Sequence, residues 1–416
     1  MAEATIEAPE RADPRRGRIL GATSIAHFVN DGTAFFVPVI AALLIPIRGF
    51  SPLEVTTLFV VYYASSALLG LGVGWWADRR GRPASLMAVG MGLLALGLLL
   101  FELVLVDAGG PFDFALSLVA ALVTGFATSF YHPLGATLLQ RAFPPNERGT
   151  ALGVNGSFGS LGRALYPLVL FLVSLELVTT LSFVPFVVVG ALAAIVVVLT
   201  TRSLTAPERA ASRTSPRPAS ESLTRGIVAL TIVAFVRSIA TQGVAVWIPT
   251  FLTQERGIPA TGFLGLVVAG MYFGGIFGQL FFGWAANRSD VRYLLALSSA
   301  GAAGSTLLYV VIVGPLSWIW FFGIGFFTFS TFPLLMSLSA DYVPHRSSSF
   351  ANAVVFELGA GGGGVIGPLL VGAIAAASYT LLPLGFEAMV GIGLAAAAMA
   401  LFLPPTLARR GRGIAP

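Results

Sequence analysis

A charged turn, Gly74-Trp75-Trp76-Ala77-Asp78-Arg79-Arg80-Gly81-Arg82-Pro83, separates two long apolar runs. A weaker copy, Gly283-Trp284-Ala285-Ala286-Asn287-Arg288, returns about half of the 416-residue chain later. A charged turn repeated at half-length in an apolar chain predicts two similar membrane bundles.

Composition removes the soluble alternatives. Mean hydropathy is +0.87 and only 10% of residues are charged, against about 25% in soluble chains. The apolar runs reach the roughly 20 residues needed to cross a bilayer core as helix. The chain has no Cys, which excludes disulfides, thiolate metal sites and iron–sulfur clusters. All 24 basic residues are Arg, so Schiff-base and P-loop lysine chemistry are excluded. The net charge of +5 is spread over short connections and does not predict nucleic-acid binding. The histidines, His27, His132 and His345, are scattered, and HExxH and a Ser/His/Asp set are absent. The expectation is therefore neither an enzyme nor a metal protein. A sensor would need a soluble output domain, and the tails are short.

The hydrophobic pattern predicts an all-α integral membrane protein with twelve transmembrane helices, at roughly 19–45, 54–77, 84–106, 112–140, 150–175, 178–200, 226–253, 261–286, 292–313, 315–341, 349–377 and 379–404. These divide into two pseudo-symmetric six-helix bundles, 19–200 and 226–404. Segment 1–18 reads as an N-terminal tail and 405–416 as a C-terminal tail. Segment 201–225 contains a stretch rich in Arg, Ser, Pro and Thr and reads as a flexible linker. Twenty Arg fall in segments that share a side with both termini, against two, Arg48 and Arg256, opposite. The positive-inside rule makes that side cytoplasmic, in the inner or plasma membrane.

The halves echo each other elsewhere. Tyr131-His132-Pro133-Leu134 in the fourth span matches Thr331-Phe332-Pro333-Leu334 in the tenth. Asn155 and Gly-rich residues ending at Pro167 match Asn352 and Gly-rich residues ending at Pro368. On these residues the chain resembles the major facilitator superfamily over nearly its whole length. The resemblance implies a latch in which Asp78 meets the N-terminal end of span eleven. Gly74, Arg79, Gly81 and Arg82 complete the motif. A carboxylate at a helix N-terminus is favourable by up to about 1 kcal/mol. His27-Phe28-Val29-Asn30-Asp31 and Tyr131-His132-Pro133 look like the fosmidomycin-resistance branch, whose members are proton-coupled drug exporters. Gly153, Gly156, Gly159, Gly162 and Pro167 resemble the superfamily's antiporter signature and depart from it at Arg163, which points to an anionic substrate.

Ionisable groups within spans are expensive and by default functional. At about 1.5 Å per residue, Asp31, Arg163 and Arg237 lie about 18, 20 and 17 Å from the cytoplasmic end, near the midplane. His132 lies at about 12 Å. Asp31 is the main proton-coupling candidate, with His27 one helical turn before it and Glu357 as a second carboxylate. Arg237 and Arg163 are the anion-binding candidates because guanidinium offers forked donors and stays charged. Asn30, His132 and Gln242 are further substrate-binding candidates. The structural alternative pairs Arg163 with Asp31 and Arg237 with Glu357. Gly361 to Gly364 has no preceding strand and reads as a packing or bending site, not a phosphate cradle.

Together these features predict a proton-coupled secondary transporter working by rocker-switch alternating access. Its expected substrate is a drug or small organic anion exported in exchange for protons. An anion symporter or facilitator is the alternative. The expected energy source is the proton gradient with no cofactor. The expected partners are a small-molecule substrate and the lipid bilayer, with the chain acting as a monomer.

Overall fold

A computed structural model describes residues 13–50, 52–80, 82–106, 110, 112–176, 183–201, 222–258, 262–344, 347–375 and 378–405. Most of the expected linker, most of the first tail and nearly all of the second lie outside the described residues, as do Gly81 and His345. Among the described residues every regular element is a helix. In order these are α1 (Arg16–Arg48), α2 (Pro52–Arg80), α3 (Pro83–Val106), α4 (Asp113–Thr128), α5 (Tyr131–Ala142), α6 (Pro145–Glu176), α7 (Val184–Thr201), α8 (Arg225–Gln254), α9 (Gly262–Ala286) and α10 (Val291–Val311). There follow α11 (Ser317–Thr328), α12 (Thr331–Tyr342), α13 (Ser348–Ala353), a π-helical turn (Val354–Gly361), α14 (Gly362–Ala375) and, after one 3-10 turn (Tyr379–Leu381), α15 (Leu382–Leu401).

Nine helical stretches among the described residues are long and apolar enough to cross a membrane. The helices α1, α6 and α7, of 33, 32 and 18 residues, stand where the first, fifth and sixth spans are expected. The set is consistent with twelve spans. Burial is inverted relative to a soluble protein. Leu99, Ile195, Leu266 and Ile319 are exposed, whereas Thr23, His27, Asn30 and Asp31 are buried. A lipid solvent asks for this arrangement, since polar side chains there must find partners inside the protein.

Two spans are broken at matching places. In the fourth span α4 ends at Thr128 and α5 begins at Tyr131; in the tenth α11 ends at Thr328 and α12 begins at Thr331. The cause is Pro133 and Pro333. Each removes one backbone N–H and crowds the carbonyl four residues earlier, so the helix opens just before it. Carbonyls in the last turn before each break also take side-chain donors. Ser129 Oγ donates to Phe126 O at 2.6 Å, and Ser330 Oγ donates to Phe327 O at 2.7 Å.

The halves meet through two matching contacts. The helix α6 packs along α9, and α2 packs against α13, the π turn and α14. Glycines let the backbones approach. A Cβ on Gly153 would lie 2.5 Å from Gln279 O, and one on Gly283 would lie 2.5 Å from Gly153 Cα. The Gly361–Gly364 stretch packs likewise: a Cβ on Gly363 would lie 2.2 Å from Phe235 O in α8.

Candidate functional site

The centre of the site is one carboxylate surrounded by bases. Asp31 on α1 is 1% exposed. Its Oδ2 lies 2.6 Å from an Arg163 guanidinium nitrogen on α6 and 3.0 Å from His27 Nε2, one turn back on α1. Its Oδ1 lies 3.2 Å from His132 Nε2, which the Pro133 break places in the first turn of α5. Asn30 Nδ2 donates to Oδ1 at 3.0 Å. Five residues named from sequence, Asp31, His27, His132, Arg163 and Asn30, therefore form one cluster. The straight-helix depths differ by only about 6 Å between His132 and Asp31, and the two side chains span that gap.

Both halves supply the aromatic walls, Phe35 from α1 and Phe329, Phe332 and Phe356 from the second half. Arg163 lies over the rings of Phe35 and Phe329, at 5.2 and 4.7 Å. His132 stacks on Phe356 at 3.9 Å, and His27 meets Phe332 edge-on. The cluster thus sits where the halves touch. Gly159 makes room for it: a Cβ there would lie 2.5 Å from the His27 ring and 2.6 Å from Asp31 Oδ2.

Arg237 is elsewhere. It is 2% exposed and belongs wholly to the second half. Its guanidinium donates to Ser298 and Ser299 hydroxyls, to Thr331 Oγ1, and to the carbonyls of Phe327 and Thr328. Those carbonyls lie in the last turn before the tenth-span break. Arg237 therefore acts as a cap inside the bundle, and the pairing with Glu357 is not formed.

Glu357 is also buried, at 3% exposure, and lies over Gly70 of α2. Its Oε2 accepts from Ser66 Oγ at 2.9 Å, across the boundary between halves. It occupies the π turn, a local widening that often marks functional sites. Gln242 is partly buried, packs near Gly364, and has a buried Oε1 without a hydrogen-bond partner. Neither touches the Asp31 cluster.

The Arg-rich end of the bundle is closed. Asp78, at the end of α2, accepts from the backbone N–H groups of Ser349 at 3.2 Å and Phe350 at 2.8 Å, the first turn of α13. A Cβ on Gly74 would lie 2.6 Å from Ser349 O, so that glycine permits the approach. Arg79 stacks over Trp75 at 4.1 Å, and Arg82 is exposed. At the weaker copy Asn287 accepts from Gly149 N at 2.8 Å and donates to Thr150 Oγ1 at 2.7 Å, at the start of α6. Between these contacts Gln140 and Asn352 exchange hydrogen bonds across the halves, at 3.2 and 3.0 Å.

Asp78→Ala should loosen this end. It strands two backbone donors, at about 1–3 kcal/mol each where buried. The chain has no Cys, so Thr137→Cys, at a buried position within the closure where the hydroxyl accepts from Asn352 Nδ2 at 3.1 Å, gives a reporter that is compared with and without Asp78. Maleimide labelling of that cysteine should speed up about tenfold or more in the Asp78→Ala background. An unchanged rate would show that the latch does not hold the end shut.

Two residues of the cluster, Asn155 and Tyr131, escape a search for charges. Asn155 Oδ1 lies 2.9 Å from His27 Nδ1 and accepts from Tyr131 Oη at 2.7 Å. The sequence signals are the repeat, which aligns Asn155 with Asn352 and Tyr131 with Thr331, and the Tyr131-His132-Pro133 motif. His27, Asp31 and His132 also present donor atoms within 4.8 Å of one another, as a metal site would. Arg163, with its cationic group 2.6 Å from the same carboxylate, opposes a divalent ion there.

A multi-span helical bundle whose halves meet around buried charges, with closing contacts at one end, defines a membrane transporter. The profile of the Major Facilitator Superfamily matches residues 23–368, and again 230–415. The chain belongs to the Major Facilitator Superfamily. It is similar to the fosmidomycin resistance protein of Escherichia coli (strain K12), with 26% identity over 374 residues and 86% of each chain covered. In fold it is similar to the E. coli fucose:proton symporter, with TM-score 0.63 and 15% identity over 93% of this chain and 98% of that one. A bacterial homologue of the iron transporter ferroportin, in an outward-facing state, gives TM-score 0.69 and 14% identity over 92% and 97%. The protein is thus a multi-span membrane transporter of a small molecule, and not an enzyme.

Proposed function

We propose that the protein is a proton-coupled antiporter that exports a drug or small organic anion. The observation that carries this is Asp31, a buried carboxylate held by Arg163, His27 and His132 where the halves meet. One acid among three bases is a place where a proton and an anion compete. An anionic substrate that draws Arg163 away leaves Asp31 needing a proton, and protonation of Asp31 frees Arg163 for the anion. Arg163 is the substrate contact favoured here, with His132, Asn30 and Gln242 as further contacts. Arg237, whose donors are already engaged, serves better as the brace of the tenth span. Glu357 is a second proton carrier at the boundary between halves.

Access alternates by rocking of the two bundles. The Asp78 and Asn287 contacts close one end, which the Arg count makes cytoplasmic, with both termini on that side of the inner or plasma membrane. The proton gradient supplies the energy without a cofactor, and one chain suffices for transport.

The test uses purified protein in liposomes that hold a pH-sensitive dye under an imposed pH gradient. Fosmidomycin, from the name of the relative, is the first compound added, followed by other small anions and cationic drugs. Proton movement opposite to the compound is the expected result. Movement in the same direction would replace antiport with anion symport. Compound flux indifferent to the pH gradient would remove proton coupling altogether.

A further inference from the structure

We propose that Asn155 is a positioning residue of the proton site, fixing which nitrogen of His27 faces Asp31 without a permanent hydrogen. The proposal rests on the proton-coupled function above and adds a residue and a tautomer to it.

The argument starts from the hydrogen-bond inventory around His27, which is fully buried. Its Nδ1 lies 2.9 Å from Asn155 Oδ1. An amide oxygen only accepts, so Nδ1 must carry the hydrogen. Two further contacts orient that amide. Tyr131 Oη donates to the same oxygen at 2.7 Å, and Asn155 Nδ2 points to Ser24 Oγ at 3.5 Å. With the hydrogen on Nδ1, the neutral ring has a lone pair on Nε2. That nitrogen lies 3.0 Å from Asp31 Oδ2, and neither atom has a hydrogen-bond partner in this arrangement.

Two acceptors at that distance repel unless a proton lies between them. The His27–Asp31 pair therefore holds one exchangeable proton, placed either as N–H toward carboxylate or as carboxyl O–H toward N. Loss of this proton to water turns an attractive contact into an acceptor–acceptor contact and leaves Arg163, on the same oxygen, as the remaining counter-charge. Proton release is thereby tied to a change of geometry between α1 and α6, the helix that packs along the other half. Without the Asn155 oxygen, neutral His27 would turn its hydrogen to Nε2 and donate it permanently to Asp31. No proton need then be taken up to keep the contact. The groups facing His27 are Asp31 from α1, Tyr131 and His132 from α5, and Arg163 and Asn155 from α6, with Phe332 closing the side of the second half.

The tautomer is directly observable. The chain has three histidines, so 15N-histidine NMR of the full-length protein in lipid nanodiscs gives few signals, and His132→Gln and His345→Asn assign them. At high pH, where imidazole is neutral, His27 of the unmodified protein should show the Nδ1–H tautomer, the less common form of free histidine. Asn155→Leu should switch it to the Nε2–H form. Asn155→Asp, which keeps an oxygen in place, should restore Nδ1–H; Asn155→Ser, too short to reach, substitutes for the leucine variant if that one does not fold. An Nε2–H ring in the unmodified protein, or an Nδ1–H ring in Asn155→Leu, overturns the proposal. Its failure is separable from failure of the proton-coupled reading. If Asp31→Asn stops coupling while the tautomer ignores Asn155, only the Asn155 role falls. If Asp31→Asn leaves coupling intact, the proton-site reading itself falls.

Discussion

Asp31→Asn is expected to reduce pH-coupled flux on the order of 100-fold or more, to the background of empty liposomes. Asparagine keeps the size of the carboxylate and one of its acceptor oxygens, but it replaces the other with an NH2 donor and cannot take up a proton. Arg163 then remains a buried cation without its anion. Breaking a buried pair from one side typically costs about 3–5 kcal/mol. The Phe35 and Phe329 rings beneath the guanidinium hold the cation in parent and variant alike and so leave that difference in place. The variant should therefore fold with a lowered thermal midpoint. Arg163→Gln should behave as the mirror case, leaving a buried carboxylate beside two histidines. The double variant separates the two consequences. With both charges gone, thermal stability should recover relative to either single change, since removing a whole buried pair is often neutral. Coupling should stay lost. Vesicles of Asp31→Asn that still couple flux to pH like the parent protein would remove Asp31 from the proton path. A double variant less stable than both singles would show that the two residues do not act as a pair.

The sequence made the acid and the cation of this site visible because a charge in an apolar run stands alone. The four-residue step from His27 to Asp31 made their contact readable as well, since helical geometry puts them on one face. Arg237 stood out for the same reason and at nearly the same depth, yet it joins a different network. What separates the two arginines is the location of accepting carbonyls, and those depend on where the helices break. Pro133 and Pro333 marked the breaks in the sequence. Nothing in the pattern said that Arg237 would reach over from the seventh span to fill the second one. The π turn around Glu357 was equally hidden, because hydrophobic periodicity does not distinguish one extra residue per turn inside a glycine-rich span. The latch at Asp78 was accessible only through resemblance, which names a partner in span eleven that local sequence cannot. Asn155 and Tyr131 carry no charge in their resting form, and although both lie in repeated motifs, only coordinates join them to His27.

Gly159→Ala should be nearly as damaging as removing a charge, although it adds one methyl group. By propensity alone the change favours the helix by about 1 kcal/mol, so any loss must come from the site. The new Cβ would fall 2.5 Å from both Cδ2 and Nε2 of His27 and 2.6 Å from Asp31 Oδ2. Neither neighbour is a free end. The His27 ring is boxed by Tyr131, His132 and Phe332, and Asp31 is tied to Arg163. The methyl must then push α6 away from α1 or drive the imidazole off the carboxylate. Overpacking of this kind costs about 1–3 kcal/mol, and a displaced His27–Asp31 contact should lower coupled flux about tenfold or more. Gly92→Ala and Gly304→Ala are the controls, because a Cβ at either position meets nothing within 4 Å. Those two should be neutral or more stable by up to about 1 kcal/mol, with flux unchanged. The comparison is read from thermal midpoints and liposome flux measured together. If Gly159→Ala matched the two controls on both, the close packing of α6 over the His27–Asp31 pair would not be a requirement of transport, and the coupling would have to lie in contacts that tolerate a wider gap.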